Sequence, residues 1–454
     1  GSEISFSGGR NGEKASGLSE ALKKIGFKIG KLKTGTPPRV HKRSIDFSKL
    51  EKQASETNIR FSHEKQSCNL PLVSCHISHT TARTKAILQK NLKRSALFSG
   101  KIQGIGPRYC PSIEDKIVRF SHKETHQAFL EPEGLESAEI YISGISSSMP
   151  FDVQLDVIRS MDGMEKAEIM RPAYAIEYDW VESGQITNTL ESRLVKNLFF
   201  AGQINGTTGY EEAAAQGLAA GINAANRALL PSEEEAQKRF LLKRSEAYLG
   251  VMIDDLITKE VTEPYRLFTS RAEHRLLLRQ DNAEERLFET AFLHKTISEE
   301  RYHRLKAEKE LIEEEKKRLA ATYVYFEKKR SSLKQLLGRP EINYEKLLEL
   351  FPSQVRDLSA EINRRLEIEL KYSGYLVRQE KEVRGLDHLE KTLLPEDFAF
   401  DLITGLRTEA KEKLKKFRPP NLGAASRING VSPADISVLL VFLQKKRLKK
   451  IPPV

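Results

Sequence analysis

Four apolar residues, Leu198, Phe199, Phe200 and Ala201, stand between polar flanks and predict a short buried strand. Gly202, Gly206 and Gly209 punctuate the next residues, and an Ala/Gly-rich run to residue 226 predicts a helix. Strand, glycine loop and helix N-terminus together make a place where backbone N–H groups face an anionic or electron-rich ligand. Gly217 and Gly221, one helical turn apart, would let the helix lie close against a sheet or a flat cofactor. An ordinary βα turn in an α/β domain has the same local shape.

Upstream of about residue 230 the pattern is mixed α/β, with many Gly and Pro punctuators. Residues 116–120 and 139–142 cluster or alternate like strands, and 58–70 is a polar, irregular loop. Pro231-Ser232-Glu233 marks a boundary, beyond which the chain becomes helical and strongly charged. Residues 298–319 predict a long amphipathic helix with Tyr302, Leu305, Leu311 and Ile312 as a thin apolar stripe, too broken for a firm coiled-coil seam. Near the end, Ser432-Pro433-Ala434-Asp435 is a helix start, with a capping hydroxyl, Pro in the first turn and an acid against the dipole. Residues 422–428 predict a short preceding helix, joined through the Asn429-Gly430 turn.

A chain of 454 residues implies two to four domains, and 39% hydrophobic residues suit a globular protein. No apolar run approaches membrane-spanning length. The opening Gly1-Ser2-Glu3 carries neither an initiator Met nor a signal peptide and reads as a cloning scar on a fragment. Three cysteines (Cys68, Cys75 and Cys110) are too few and too irregularly spaced for a disulfide framework or zinc site, which favours a cytoplasmic location. The net charge of +11 points to a polyanionic partner. Between Arg407 and Lys450 there are twelve bases, Lys415, Lys416, Arg418 and Arg427 among them, against three acids. A solvated face can carry such a run, but its one-sidedness favours nucleic acid.

Two further stretches carry candidate chemistry. Pro111 suits a first helical position, which would put Cys110 at or near a helix N-cap with Arg108 two residues away. Both features stabilise a thiolate, so Cys110 is either a nucleophile or an inert loop thiol. Gly104-x-Gly106 lacks the third glycine of a dinucleotide fingerprint. In residues 33–39, KTGTPPR, Lys33 and Arg39 flank a proline-stiffened turn and could grip phosphates. Cys75-His76-x-x-His79 has no matching ligand pair elsewhere, so no metal is expected.

Taken in order, the motifs assemble into a resemblance. They are SGGR at 7–10, LKTGTPPR at 32–39, GPRYCPSIEDK at 106–116, FLEPEG at 129–134 and RPAYAIEYD at 171–179. FFAGQINGTTGYEEAAAQG at 199–217, EPYRLFTSRAEHRLLLRQDNA at 263–283 and GAASRINGVSPADI at 423–436 complete the series. The set resembles the MnmG/GidA family of FAD-dependent enzymes that modify the wobble uridine of certain tRNAs.

The resemblance implies an α/β FAD-binding, glutathione-reductase-like domain, incomplete at its N-terminus, with inserted α/β segments and an all-α C-terminal region. The implied divisions are a partial FAD domain over 1–35 and 100–230, an insertion over 36–99, a helical domain over 231–385 and a basic helical subdomain over 386–454. It also implies work with the GTPase MnmE, a folate one-carbon donor reached through that partner, recycling of the flavin by NADH, and a homodimer. By motif, Cys110 matches a catalytic cysteine, and Gly106, Pro107, Arg108 and Tyr109 fall in the dinucleotide-contacting segment. Ser16 and Gln203 match flavin-contacting positions, with Gly202, Gly206, Thr207, Thr208 and Gly209 around Gln203. Lys33, Arg39, Lys415, Lys416, Arg418 and Arg427 are the candidate RNA contacts. The chemistry is coherent, because uridine C5 becomes nucleophilic once a thiolate adds at C6.

The family's GxGxxG strand-turn-helix and its other catalytic cysteine have no counterpart in the sequence. The chain is therefore expected to bind FAD weakly or not at all, and to be inactive alone. The alternatives are a non-catalytic tRNA- and MnmE-binding fragment and, more distantly, a folate- and FAD-dependent tRNA uridine methyltransferase. The latter lacks the long helical region seen here after Pro231.

Overall fold

The computed structural model describes residues 17–56, 72–100, 102, 104–107, 111–230, 238–395 and 397–448, with side chains through residue 444. The expected loop at 58–70 and the boundary at 231–233 lie outside the described residues. The chain divides into two compact units, one reaching Glu182 and adding Val261–Tyr265, the other formed by Ser183–Glu260 and Arg266 onward.

Among the described residues the first unit has eight strands: β1 (Ile29–Thr36), β2 (Arg39–His41), β3 (Glu51–Gln53), β4 (Cys75–His79), β5 (Gln127–Pro132), β6 (Glu139–Ser143), β7 (Ile169–Arg171) and β8 (Tyr174–Val181). Six of them form one sheet in the order β3-β4-β5-β6-β2-β7, and every neighbouring pair is antiparallel. β1 and β8 make a separate antiparallel pair that sets Lys33 opposite Glu177. Along β6 the alternation is plain, with Ile140 and Ile142 buried between half-buried neighbours. These residues join Ala128, Leu130, Val153 and Val157 in one core, with the helices Ala82–Asn91, Ile113–Arg119 and Phe151–Arg159 packed on it.

One expected strand is a helix. Residues 116–119 fall in Ile113–Arg119 and Phe120 is its C-cap; the N-cap is Ser112, its hydroxyl accepting from the Asp115 N–H. Ile113 and Ile117, four apart, are the positions buried in the core, so helical spacing and a good cap override the β-branched composition. The same cap corrects a second expectation, since Pro111 precedes the cap instead of taking the first helical position.

In the second unit the expected strand at 198–201 makes only a single bridge, Glu191 to Phe199. Its would-be partner is interrupted by left-handed Leu190, and Asn197 is left-handed just before the run, so no ladder extends. The predicted helices are present as Tyr210–Leu229, Glu299–Ala321, Leu422–Ser426 and Pro433–Leu448, the second capped by Ser298. Leu305, Ile312 and Leu319 form the buried stripe of Glu299–Ala321, while Tyr302 and Leu311 are half-buried. The C-terminal region is helical except for the hairpin Tyr323–Phe326/Lys329–Ser332, whose Glu327-Lys328 turn has both residues left-handed.

Candidate functional site

Within the first unit several motifs converge. Ile105 bridges Leu32 in parallel, and the Lys33 N–H donates to the Ile105 carbonyl at 3.0 Å. Gly104 donates its N–H to Glu177 Oε1 at 3.0 Å, and a Cβ there would lie 2.6 Å from the Leu32 carbonyl carbon, so only glycine fits so close to β1. Gly106 follows, with the Lys33 stem against it (3.2 Å from an ideal Cβ to Cε). Pro107 is buried. Beside them the start of Ile113–Arg119 is clamped down: Ile113 N–H donates to the Ser146 carbonyl at 2.8 Å, and the fully buried Glu114 accepts from Ser148 N–H (2.8 Å) and Ser147 Oγ (3.0 Å).

Arg39 is occupied. Its Nε donates to Glu133 at 2.7 Å, Nη1 donates to Thr36 Oγ1 and the Pro37 carbonyl, and the guanidinium covers the Tyr141 ring at 4.8 Å. The expected phosphate grip is thus an internal brace of the TGTPPR turn. The LVSCHISHT motif carries β4, where burial and the nearby Glu131 push the Cys75 thiol up, away from an activated nucleophile. Ser16, Arg108, Tyr109 and Cys110, like Cys68, lie outside the described residues.

In the second unit the glycine loop is defined by its backbone. Gly202, Gly206 and Gly209 have φ of 80°, 76° and 129°, values that favour glycine. Residues Gly202–Asn205 form a single tight helical turn with Gln203 exposed on it. Thr207 is buried and donates to the Gly202 carbonyl at 2.7 Å, whereas Thr208 is half-buried. Tyr210–Leu229 starts at Gly209 with no side-chain cap, and Tyr210 beside it is 92% exposed.

Two buried residues absent from the sequence reading hold this loop. Gln216 binds Gly202, Asn205 and Thr207 from below. Glu212 accepts from Arg266 Nε and from the Leu267 N–H, both at 3.1 Å, and its Oε2 lies 1.9 Å from where a Gly209 Cβ would sit. An isolated amide and carboxylate inside an Ala/Gly run were the available signal. Gly217 and Gly221 meet nothing within 4 Å among the described residues, so the close packing expected of them is not made there. A tight glycine turn with Gln203 exposed on it, leading to an uncapped helix end, fits a flat polar ligand at close approach.

The C-terminal cations are distributed differently from expectation. Arg427 places Nε and Nη2 on the two oxygens of Asp254 (2.8 and 2.6 Å) and Nη1 on Glu390, so it braces the bundle instead of facing outward. Lys415 pairs with Asp401 and Lys416 with Glu260, both on exposed side chains. Arg418 caps Thr408–Phe417 in a left-handed conformation, and its exposed side chain has no carboxylate partner among the described residues. Asp254 also receives Arg244, which reaches Asp255 at 2.8 Å and forks onto Glu273 at 2.9 and 2.8 Å. Burial alone would raise the Glu273 carboxyl, but the Arg244 fork outweighs it and holds the group at about 2. Among the described residues no helix is long and apolar enough to cross a membrane.

Comparison with known proteins matches residues 2–231 to the family model "Glucose inhibited division protein A". Residues 299–380 and 382–451 match the C-terminal helical domain and the C-terminal helical bundle of the tRNA modifying enzyme MnmG/GidA. The tRNA uridine 5-carboxymethylaminomethyl modification enzyme MnmG of Protochlamydia amoebophila is 54% identical over 445 residues, 98% of this chain and 70% of the relative. That of Chlamydia trachomatis is 53% identical over 443 residues, 97% and 72% respectively. The form II crystal structure of Aquifex aeolicus GidA superposes with a TM-score of 0.86 at 44% identity, covering 96% of this chain and 71% of that one.

Proposed function

The chain belongs to the MnmG/GidA family of tRNA-modifying enzymes, and from that premise we propose that it acts in FAD-dependent modification of the wobble uridine of tRNA, adding an aminomethyl or carboxymethylaminomethyl group at C5. The observation that carries the reading is the glycine loop at 202–209, three left-handed glycines opening at the uncapped start of a 20-residue helix. FAD, when bound, supplies hydride and one-carbon handling at its ring. Gly202, Gln203, Gly206, Thr207, Thr208 and Gly209 would hold it, with Gln203 reaching the ring system and Ser16 a further contact. Gly106 and Pro107, with Arg108 and Tyr109, would serve a dinucleotide, and Lys33 would offer its cation there. Cys110 would supply the thiol at uridine C6, as nucleophile or as proton donor. MnmE, a folate one-carbon donor, NADH, a homodimer and a cytoplasmic location complete the proposal, as do domain divisions near residues 35, 99, 230 and 385.

Colour is the direct test. If this chain is itself the flavoenzyme, the purified protein carries a flavin band that bleaches on adding NADH. A colourless chain, even with added FAD, would leave a non-catalytic tRNA- and MnmE-binding module as the surviving reading. In a version spanning the full length of the relatives, Cys110→Ser should abolish uridine modification while sparing tRNA binding, and persistent modification would remove Cys110 from the mechanism.

A further inference from the structure

The stretch Gly202–Thr207 of the glycine loop is shaped from beneath by Gln216. Gln216 lies on Tyr210–Leu229, seven residues past Gly209, and is fully buried. Its Oε1 accepts from the Gly202 N–H at 3.0 Å and from Asn205 Nδ2 at 2.9 Å. Its Nε2 donates to Thr207 Oγ1 at 3.1 Å and lies 3.6 Å from the Met252 sulfur. Thr207 Oγ1 passes its own proton to the Gly202 carbonyl at 2.7 Å, and Asn205 Nδ2 also reaches the Phe200 carbonyl at 2.9 Å. The amide can face only one way, because reversing it would set its NH2 against two donors. Both ends of the Gly202–Asn205 turn, and Thr207 beyond it, are therefore referred to one amide.

We propose that Gln216 is the positioning residue of the cofactor loop, which it never touches the ligand to organise. It fixes the path of residues 202–207 so that Gln203 stands exposed while the Gly202 backbone is held inward. No other side chain serves as well: Glu has no donor for Thr207 and adds a buried charge, Asn is a methylene short, and Met or Leu has no strong hydrogen-bonding group. The inference rests on the flavin reading above and specifies how this chain prepares that site.

The test is FAD titration of the native protein and its Gln216→Met, Thr207→Val and doubly substituted variants, following affinity and the shape of the visible flavin band. Met fills the space of Gln, so packing is kept while the network is lost. Gln216→Met should weaken FAD roughly ten- to hundredfold and alter the band, with tRNA retention unchanged. The double variant should lose clearly less than the product of the single losses, because both act on the same hydrogen bonds. An unchanged affinity and band in Gln216→Met, with FAD bound to the wild type, would overturn the positioning role alone. Losses that simply multiply would also overturn it. If Gln216→Met does not fold, Thr207→Val on its own must still weaken FAD and alter the band, and normal binding by it would sink the proposal. A wild-type protein that takes up no FAD would bring down the flavin reading, and the positioning role with it.

Discussion

Beneath Gly202–Thr207 the buried contacts are neutral: an amide, a hydroxyl and backbone groups satisfy one another around Gln216, and the loop's ionic contact, Glu212 with Arg266, lies at its far end beside Gly209. Around Asp254 they are ionic, with Arg244 and Arg427 converging on one carboxylate while Asp255, Glu273 and Glu390 take the remaining guanidinium donors. A neutral network costs less to desolvate than an ionic one, which suits the support of a surface meant for a ligand. An ionic one is strong only while every partner is present, which suits a junction that should not move.

The largest expected effect is at the ionic site. Arg427→Ala takes from Glu390 its Arg427 partner and leaves Asp254 with Arg244, and should cost about 3–5 kcal/mol, read from urea unfolding. Arg427→Lys should recover only part of it, because the fork onto Asp254 is lost. A cost below ~1 kcal/mol would show that the junction is not held by these pairs. Next comes Gly209→Ala in the loop, where the new methyl would collide with Glu212 at a left-handed backbone; it should cost about 2–4 kcal/mol and release any bound flavin. Wild-type stability after that change would mean that the loop yields easily.

Acidity should separate the two regions more gently. Glu273 titrates at about 2 when folded, against an ordinary value of 4.5. Because its folded value is depressed, its contribution is complete above about pH 4.5 and disappears as pH falls toward 2. Its side chain is 42% exposed, so screening reduces the effect to about 1 kcal/mol. Glu273→Gln should flatten that part of the stability–pH curve, while Gln216→Met should leave the slope alone. The smallest effect is at Lys415, whose exposed pair with Asp401 should change stability by less than ~1 kcal/mol on Lys415→Ala. If that lysine meets a phosphate, the slope of log affinity for tRNA against log salt should fall by roughly one, and an unchanged slope would remove it from the interface.

The legibility of the two regions differs for the same reason that their chemistry differs. The glycine positions, the helix after them and the alternation at 139–142 were readable, since each signal lies within a few residues. The strand at 198–201 was misread because an apolar run does not reveal that its neighbour is broken at Leu190. The strand at 116–120 was misread because the cap at Ser112 outweighed β-branched composition. Gln216 and Glu212 looked like interruptions in an Ala/Gly helix, though each faces the loop before it.

By itself the sequence determined the local devices. Ser432 and Asp435 exchange hydrogen bonds three residues apart, and that spacing alone starts the last helix. The motifs likewise determined the family. Only the tertiary structure decided what the basic residues do. Arg427 reads as one more cation in a positive tail, but its partner Asp254 is 173 positions away. A charge's role depends on which opposite charge folding brings within hydrogen-bond distance, and a linear pattern does not carry that distance.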